Sequence, residues 1–582
     1  MAASLVAADS LVAIDVGTIY TRALLFDVVD GQYRFLAMGV APTTAEAPYR
    51  DIGEGIHLAL EQLQSFTGRS LLGTDGRLVI PGLSDGTGVD RCVATISAGR
   101  TLKAIAYGLL EDISTESAAH LATTTYAQVV DAFSLNDRRK IAARIDAILR
   151  HRPDVVIVAG GTDGGASQSV MNALDAIGLA SELLPERERP EILYAGNQDL
   201  AERVKATLKL PTLHVAPNLR PTLDTEQLEP AQLQLSQLYR QVRIKNIAGV
   251  QELDMWANGE LMPTSVAFGR LIRFFSRISH PRAVLGLDVG ASSTTVAAGY
   301  NGELSLRVDP QLGLGESLAG LSNHIPLHEI TRWVAAEVSD AYVRDYLHNK
   351  ALHPYTIPAT HDDLAIEQAL ARQLINMAFR RASRAFPAGL GRGYGLSNRF
   401  GPLVASGSVL VNAATRGQTL LTLLDALQPT GMVTLYLDQN QMAASLGAAA
   451  NTHPILTVQV FETGTFMNLG TVISPVGHAN RGTPILKAKI TYPNQHTAEF
   501  EVKYGTIEPL PLGMNQTAKV QLQPYHRFDI GNGPGVMIPN VNVIGGLFGL
   551  VIDARGRPVH VPAEPAHRAA TYKKWCAVLD GS

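Results

Sequence analysis

The chain has 582 residues, 46% hydrophobic and 18% charged, with a formal net charge of −4 at pH 7. That balance describes a globular protein long enough for three or more domains, and it argues against a nucleic-acid-binding surface, which needs a local excess of Lys and Arg. Cys92 and Cys576 are the only cysteines, too few for a zinc site or a disulfide framework, and they are expected as reduced thiols of a cytoplasmic protein.

The start, Met1 to Asp9, has no basic n-region and runs straight into an apolar strand, so no signal peptide is expected. That strand, Leu11-Val-Ala-Ile-Asp15, leads into Asp15-Val-Gly17-Thr18 and then Thr21-Arg22. Glycine lets backbone approach a phosphate closely, amides and hydroxyls of the turn donate to it, and a strand-end aspartate can hold hydrated Mg²⁺. A single Asp-x-Gly after a strand is as readily an ordinary hairpin turn. From about 43 to 92 an insertion is expected, with helical spacing over Asp51 to Ser65 and a Gly/Asp-rich stretch from Gly73 to Gly88. The match Gly82-Leu-Ser84-Asp-Gly86 is followed by Thr87-Gly88 and a strand-like run, so it reads as a loop and not as a nucleophile elbow. Next come Asp154-Val-Val-Ile-Val-Ala-Gly160-Gly-Thr-Asp-Gly-Gly165, a buried strand ending in a small-residue turn that opens a helix, and the strand Glu191-Ile-Leu-Tyr-Ala-Gly-Asn197.

Residues 1–215 are thus expected as a first half and 216–282 as a helical connector, which begins Pro- and Gln-rich. The connector ends in a basic amphipathic stretch, Val266 to Arg277, that reads as a packed helix with a solvated face or as a docking face for an acidic partner or membrane surface. At Val284-Leu-Gly-Leu-Asp288-Val-Gly290-Ala-Ser292-Ser293-Thr-Thr295 the first motif recurs. The repetition favours a duplicated fold with a nucleotide between its halves, the second half covering 283–452. Within it, Asp309 to Ser317 reads as a loop carrying Asp309 or Glu316 to orient an attacking water, because ATP hydrolysis needs a positioned nucleophile more than covalent chemistry; an ordinary turn carboxylate fits equally. The strands Gly401 to Ser406 and Met432 to Asp438 follow, each opening a helix. From 453 to 582 the pattern changes to short alternating strands, beginning with Ile455 to Phe461 and ending in a hairpin that turns at Arg555-Gly-Arg-Pro558, so an all-β sandwich or barrel is expected there. Val543 to Ile552, the longest apolar stretch, is far short of the roughly 18 residues of a membrane span.

The order of these strands and turns resembles the actin, sugar kinase and Hsp70 superfamily of ATPases, and the resemblance implies an α/β fold of two ribonuclease-H-like halves closing on ATP and Mg²⁺. On it, Asp15, Gly17, Thr18 and Thr21 match the first phosphate motif, Asp288, Gly290, Ser292 and Ser293 the second, and Ser406, Gly407 and Ser408 the adenosine turn. Asp15 and Asp288 would hold the metal's water shell, with Glu316 as the candidate catalytic carboxylate. The second hairpin departs from the superfamily in carrying Gly290-Ala291 where many members have Gly-Gly.

A narrower resemblance, from about 11 to 450, rests on Asp15-Val-Gly-Thr18, Ala159-Gly-Gly-Thr-Asp-Gly-Gly165, Ala195-Gly-Asn197 and Leu287-Asp-Val-Gly290. These look like the glutamate mutase L family, which implies an ATP-driven accessory or reactivating factor for an adenosylcobalamin-dependent mutase or aminomutase. No Asp-x-His-x-x-Gly cobalamin-ligating pattern, Gly-x4-Gly-Lys-Ser/Thr loop or His-Glu-x-x-His helix occurs, and scattered histidines such as His324 and His328 read as ordinary polar groups. Two other readings stay open: an actin-like or cell-division-type scaffold, for which the β-rich tail would supply contacts or a homo-oligomer interface, and a small-molecule kinase, for which no acceptor pocket is identifiable.

Overall fold

The computed structural model describes residues 9–279, 281–323, 325–387, 389–390 and 395–581; the start, residues 1–8, and His324 lie outside them. Two compact units result, one from residues 10–25 and 37–267, the other from 26–36 and 268–581.

The first sheet begins with β1 (Leu11–Val16), β2 (Tyr20–Val29) and β3 (Gln32–Pro42). The helix Gly53–Thr67 then carries the chain over to β4 (Arg91–Ile96), which runs parallel to β1 and sets Thr95 beside Asp15. The 43–92 segment is therefore the crossover between two strands of this sheet. Its helix ends at Gly68, which takes the left-handed conformation and returns its amide to the Gln64 carbonyl.

After β4 the chain leaves this sheet for another: β5 (Leu102–Tyr107), β6 (Ala127–Phe133), β7 (Val155–Val158), β8 (Glu191–Tyr194) and β9 (Leu213–Val215). All are parallel, in the order β6-β5-β7-β8-β9. This is the doubly wound arrangement, and its central strands read as continuous apolar runs because helices cover both faces. The helices Ile141–His151, Gln168–Leu183 and Ala201–Leu208 contribute Ile148, Leu174, Ile177 and Val204 to its core. A short strand, β10 (Met262–Pro263), then returns to the first sheet beside β4, giving the order β10-β4-β1-β2-β3. The helix Thr264–Ile278 follows directly.

In the other unit, β11 (Ala283–Val289), β12 (Thr294–Tyr300), β13 (Glu303–Asp309), β14 (Phe400–Ser406) and β15 (Gly431–Leu437) repeat that order as β13-β12-β11-β14-β15. Here β14 is parallel to β11 and sets Ser406 beside Asp288, as β4 sets Thr95 beside Asp15. The basic stretch Val266 to Arg277 lies in the helix Thr264–Ile278, whose Phe268, Leu271, Ile272 and Phe275 are buried. Gly286 and Gly299 make room for it, since a Cβ on either would meet Ile272 at 2.4 and 2.8 Å.

The sheet does not stop at β15. It continues through β16 (Met467–Ser474), then β22 (Leu550–Asp553), and ends at β19 (Ile507–Leu510). A four-stranded antiparallel sheet, in which β17 (Pro484–Thr491) and β20 (Thr517–Pro524) lie between β18 (Thr497–Lys503) and β21 (Ile538–Ile544), shares a core with that extension through Ile473, Ile485, Val520 and Ile552. The β-rich tail is thus a sandwich with one layer borrowed from the second half.

Two local expectations are corrected. Ile455 to Phe461 is not a strand: Pro454–Val460 is a helix, started by Pro454, with Leu456, Thr457 and Val460 buried and the Thr457 hydroxyl donating to the Leu446 carbonyl. Its β-branched residues suit a strand, and packing overrides them. Nor does the tail fold back at Arg555-Gly-Arg-Pro558; β22 pairs instead with β16 and β19, and the chain ends in the helix Pro565–Asp580.

The two arginines of that bend turn inward. Asp425 accepts from Arg372 Nε at 2.9 Å, Arg555 Nη1 at 2.8 Å and the Tyr572 hydroxyl at 2.8 Å. Asp553 accepts from Arg555 Nε at 2.8 Å and Arg557 Nη2 at 2.9 Å. Burial alone would raise the Asp553 carboxyl, but the guanidiniums of Arg555 and Arg557 outweigh it and hold it well below the usual carboxylate range. Such a group contributes stability that is present above the unfolded pKa, about 4, and lost as pH falls through that value toward the lowered folded one. Removing one partner of a buried ionic cluster costs about 3–5 kcal/mol. Asp425→Ala is therefore expected to lower the unfolding free energy of this unit by about that amount in urea titrations followed by tryptophan fluorescence. A loss under about 1 kcal/mol would show the cluster to be incidental.

Candidate functional site

The two Asp-x-Gly turns close in the same way. Gly17 N donates to the Tyr20 carbonyl at 3.0 Å, and Gly290 N to the Ser293 carbonyl at 2.9 Å. A Cβ on Gly17 would stand 2.7 Å from Tyr20 O, so this turn admits only glycine; on Gly290 it would stand 3.2 Å from Ser293 O.

At the first turn, Asp15 is buried and heavily engaged. Its Oδ1 accepts from Thr95 Oγ1 at 2.6 Å and Thr264 Oγ1 at 3.0 Å, and Arg22 Nη1 lies 3.8 Å from Oδ2. Thr18 is half-buried in the turn. Thr21, expected to bind phosphate, is fully buried; it shares a hydrogen bond with Thr43 at 2.9 Å, and Thr43 Oγ1 donates to the Gly17 carbonyl at 2.8 Å. Its hydroxyl braces the turn from behind.

At the second turn, Asp288 is half-buried at the end of β11, opposite Thr295 and beside Ser406. Ser292 is half-buried and Ser293 buried. The Asp309 to Ser317 loop closes on this turn: Leu314 N donates to the Gly290 carbonyl at 3.1 Å, and a Cβ on Gly313 would stand 2.3 Å from Ala291 O. Asp309 is buried and paired with Arg307 and Arg381, at 3.0 and 3.1 Å, which removes it as a water-orienting group. Glu316 is exposed, at the first position of the 3-10 helix Glu316–Asn323.

The turn after β14 abuts the second hairpin. Gly407 has φ +119°, and a Cβ there would stand 2.3 Å from Val289 O, so the turn can lie against β11 only as glycine. Ser406 Oγ donates to Asp438 Oδ2 at 3.1 Å, and Asp438 in turn accepts from Met442 N and Ala443 N at the start of the helix Ala443–Ala449. Ser408 Oγ donates to Gln441 Oε1 at 3.1 Å. One unit therefore gathers Asp288, Gly290, Ser292, Ser293 and Ser406 to Ser408 at adjoining strand ends, and the other gathers Asp15, Gly17, Thr18 and Thr21.

The Gly160 to Gly165 turn belongs elsewhere. It follows β7 in the parallel sheet and is tied down by Asn218 Nδ2, which donates to Gly161 O at 3.0 Å and Asp163 Oδ1 at 2.8 Å. The residues that the motifs did not reveal are Thr43, Thr95 and Thr264. None has a local signature: Thr43 follows the neighbouring strand β3, and Thr95 and Thr264 are brought to the turn by segments far along the chain. Among the described residues, no three His, Cys, Asp or Glu side chains are grouped closely enough to form a protein-only metal site. A magnesium ion that arrives with a nucleotide needs only one or two carboxylates, usually through its waters, and the half-buried strand-end Asp288 fits that.

The family described as "MutL protein" matches residues 11–464. "Protein MutL" of Clostridium tetanomorphum is 24% identical over 493 residues, covering 78% of this chain and 98% of that protein. Among solved structures, the chain is similar to a diol dehydratase-reactivating factor in nucleotide-free form (TM-score 0.30, 11% identity, 77% of this chain and 100% of that one) and a glycerol dehydratase reactivase (0.31, 12%, 76% and 100%). Component A of the (R)-2-hydroxyglutaryl-CoA dehydratase of Acidaminococcus fermentans is also similar (0.28, 9%, 76% and 97%).

Gly407→Ala is expected to cost roughly 1–3 kcal/mol in thermal unfolding, since the added Cβ meets backbone in a conformation alanine avoids. An unchanged melting temperature would mean that this turn and β11 are not in contact.

Proposed function

The chain belongs to the MutL protein family, and from that premise we propose that it is an ATP-binding, slowly hydrolysing accessory protein that serves an adenosylcobalamin-dependent mutase or aminomutase in the cytoplasm. The observation that carries the nucleotide part is the repetition of one turn geometry at one topological position, the end of the first strand of two sheets that share the same order over five strands. In such turns, close backbone and small hydroxyls replace the hydration of phosphate oxygens. Thr18, Ser292 and Ser293 take that role, with the amides of the two turns. Asp288 holds the water shell of Mg²⁺, which neutralises phosphate charge when bound. The Gly407 turn receives the adenosine, and Glu316, exposed on the loop that closes on the second turn, orients the attacking water. The mutase partner is supported by family membership and by the sequence resemblance to glutamate mutase L. A ligand moves a protein between states only by binding them unequally, so the accessory role requires ATP and ADP to favour different states of the chain.

Calorimetric titration with Mg²⁺-ATP and Mg²⁺-ADP, alongside phosphate release, tests the reading. Binding with slow release is expected, with Asp288→Ala weakening Mg²⁺-dependent ATP binding by roughly tenfold or more. Adding the protein and ATP to a cofactor-inactivated mutase should then restore turnover. Failure of the wild-type chain to bind either nucleotide would refute the proposal.

A further inference from the structure

The crevice of the parallel sheet is covered by the chain itself. Counted along the chain, the strands of that sheet stand in the order second, first, third, fourth, fifth, so its crossovers diverge between β5 and β7. Open α/β sheets bind ligands outside the carboxyl ends of the strands at such a point. Here residues 216–226, which leave β9, turn back across those ends. At the end of β8, Ala216 N donates to the Tyr194 carbonyl at 2.8 Å and Leu219 N to the Ala195 carbonyl at 3.0 Å. Past β7, Asn218 Nδ2 holds the Gly160 to Gly165 turn, and Asp163 N donates to the Pro221 carbonyl at 3.2 Å. Past β5, Arg220 Nε donates to Ser117 Oγ at 2.7 Å, and that hydroxyl donates to Glu226 Oε1 at 2.6 Å. Leu219 is fully buried in this strap, whereas residues 222–225 are exposed.

A strap held by one apolar anchor and a few hydrogen bonds opens more easily than the strands it crosses, because segments with few buried contacts open first. It also leads directly to the first sheet. Three residues past Glu226 begins the helix Glu229–Asn246, which packs against the helix Glu116–Ala122 and β8 at the parallel sheet and against β10 at the first sheet. Toward its far end, Tyr239 and Arg243 bear on the loop after β4: the Tyr239 hydroxyl donates to the Ile96 carbonyl and Arg243 Nη2 to the Gly99 carbonyl, both at 3.4 Å. Arg243 is 1% exposed, its guanidinium lies over the Tyr239 ring at 4.6 Å, and its Nε has no acceptor. A buried cation bonded this loosely marks a joint that can shift without breaking good hydrogen bonds. The same loop is fastened to the first turn, since Ser97 N and Ala98 N both donate to the Val16 carbonyl, at 2.9 and 3.1 Å. Resting on the nucleotide reading above, we propose that the strap is a latch over the crevice of the parallel sheet, coupled through the helix Glu229–Asn246 and Arg243 to nucleotide at the first turn. Phosphate on that turn fixes the loop after β4, the loop holds the helix, and the helix keeps the latch shut, so the nucleotide favours the closed state over the open one.

The test uses the full-length protein and hydrogen exchange read by mass spectrometry, with Mg²⁺-ATP saturation set by calorimetric titration. In the wild type the strap is expected to exchange faster than β7 and β8, and saturating Mg²⁺-ATP to slow the strap by roughly fivefold or more while leaving those strands unchanged. Arg220→Gln and Ser117→Ala break one tie from its two sides, and each should speed strap exchange without nucleotide and leave β7 and β8 as they were. In Arg243→Met, saturated with ATP, the strap should exchange as fast as without it. The inference is overturned if the wild-type strap exchanges as slowly as β7 and β8, if bound ATP leaves it unchanged or slows those strands equally, or if Arg243→Met responds to ATP as the wild type does. Faster exchange spread over β7 and β8 in both tie variants would make the tie a support of the whole sheet and overturn it too; in all these cases the ATP reading survives. A wild-type chain that does not bind ATP refutes both.

Discussion

One buried carboxylate, Asp425, decides what the C-terminal third of this chain is. It takes hydrogen bonds from Arg372 on the long helix His361–Ala382, from Arg555 just past β22 and from Tyr572 on the final helix. The Arg372 and Arg555 guanidiniums also lie over the Tyr572 and Trp575 rings, at 5.0 and 4.6 Å. Charges this deep are tolerable only when every one has partners, and the partners here come from segments far apart in sequence. They fasten the end of the chain to the helices that back the second hairpin's sheet, and they oblige β22 to enter that sheet. The β-rich tail follows from this constraint: half of it is an extension of the second hairpin's sheet, and the four-stranded layer covers that extension.

Both hairpins were legible in the sequence because their signal is local. An apolar strand, Asp-x-Gly and a hydroxyl-bearing turn fit within a dozen residues, and the backbone needs glycine there for a reason visible at short range, the close carbonyl three residues on. The second half was legible almost whole, since β14 and β15 follow the hairpin in simple order. The first half was not. The strand running into Gly160 carries the same apolar-then-small pattern as β14, and nothing in that pattern states which sheet receives it. Its true counterpart is β4, whose Thr95 occupies the place beside Asp15 that Ser406 occupies beside Asp288. A whole doubly wound sheet is interposed between β4 and a two-residue strand, β10, too short to announce itself.

The site residues divide along the same line. Gly17, Gly290 and Gly407 lie where backbone approaches backbone, and sequence finds such positions. Hydroxyls are harder. Thr21 and Thr18 look alike in the motif, yet the alternation of a strand turns Thr21 inward to Thr43, while Thr18 stays in the turn. Asp309 and Glu316 looked interchangeable as candidate water-orienting carboxylates. Arg307 and Arg381 remove the first, and Arg381 stands on a helix 72 residues further along the chain.

A duplicated fold need not duplicate its chemistry. Strand order, turn closure and the neighbour of each aspartate are preserved between the halves, and these are the features that hold the backbone in shape. What differs is the residue seven positions beyond each aspartate, arginine 3.8 Å from the Asp15 carboxylate in one half and threonine paired with Asp288 in the other. That position lies inside a strand and outside the turn, so it can change without disturbing the glycine geometry. The buried hydroxyls of Thr95 and Thr264 hold the Asp15 carboxylate in one orientation, with Arg22 beside its other oxygen.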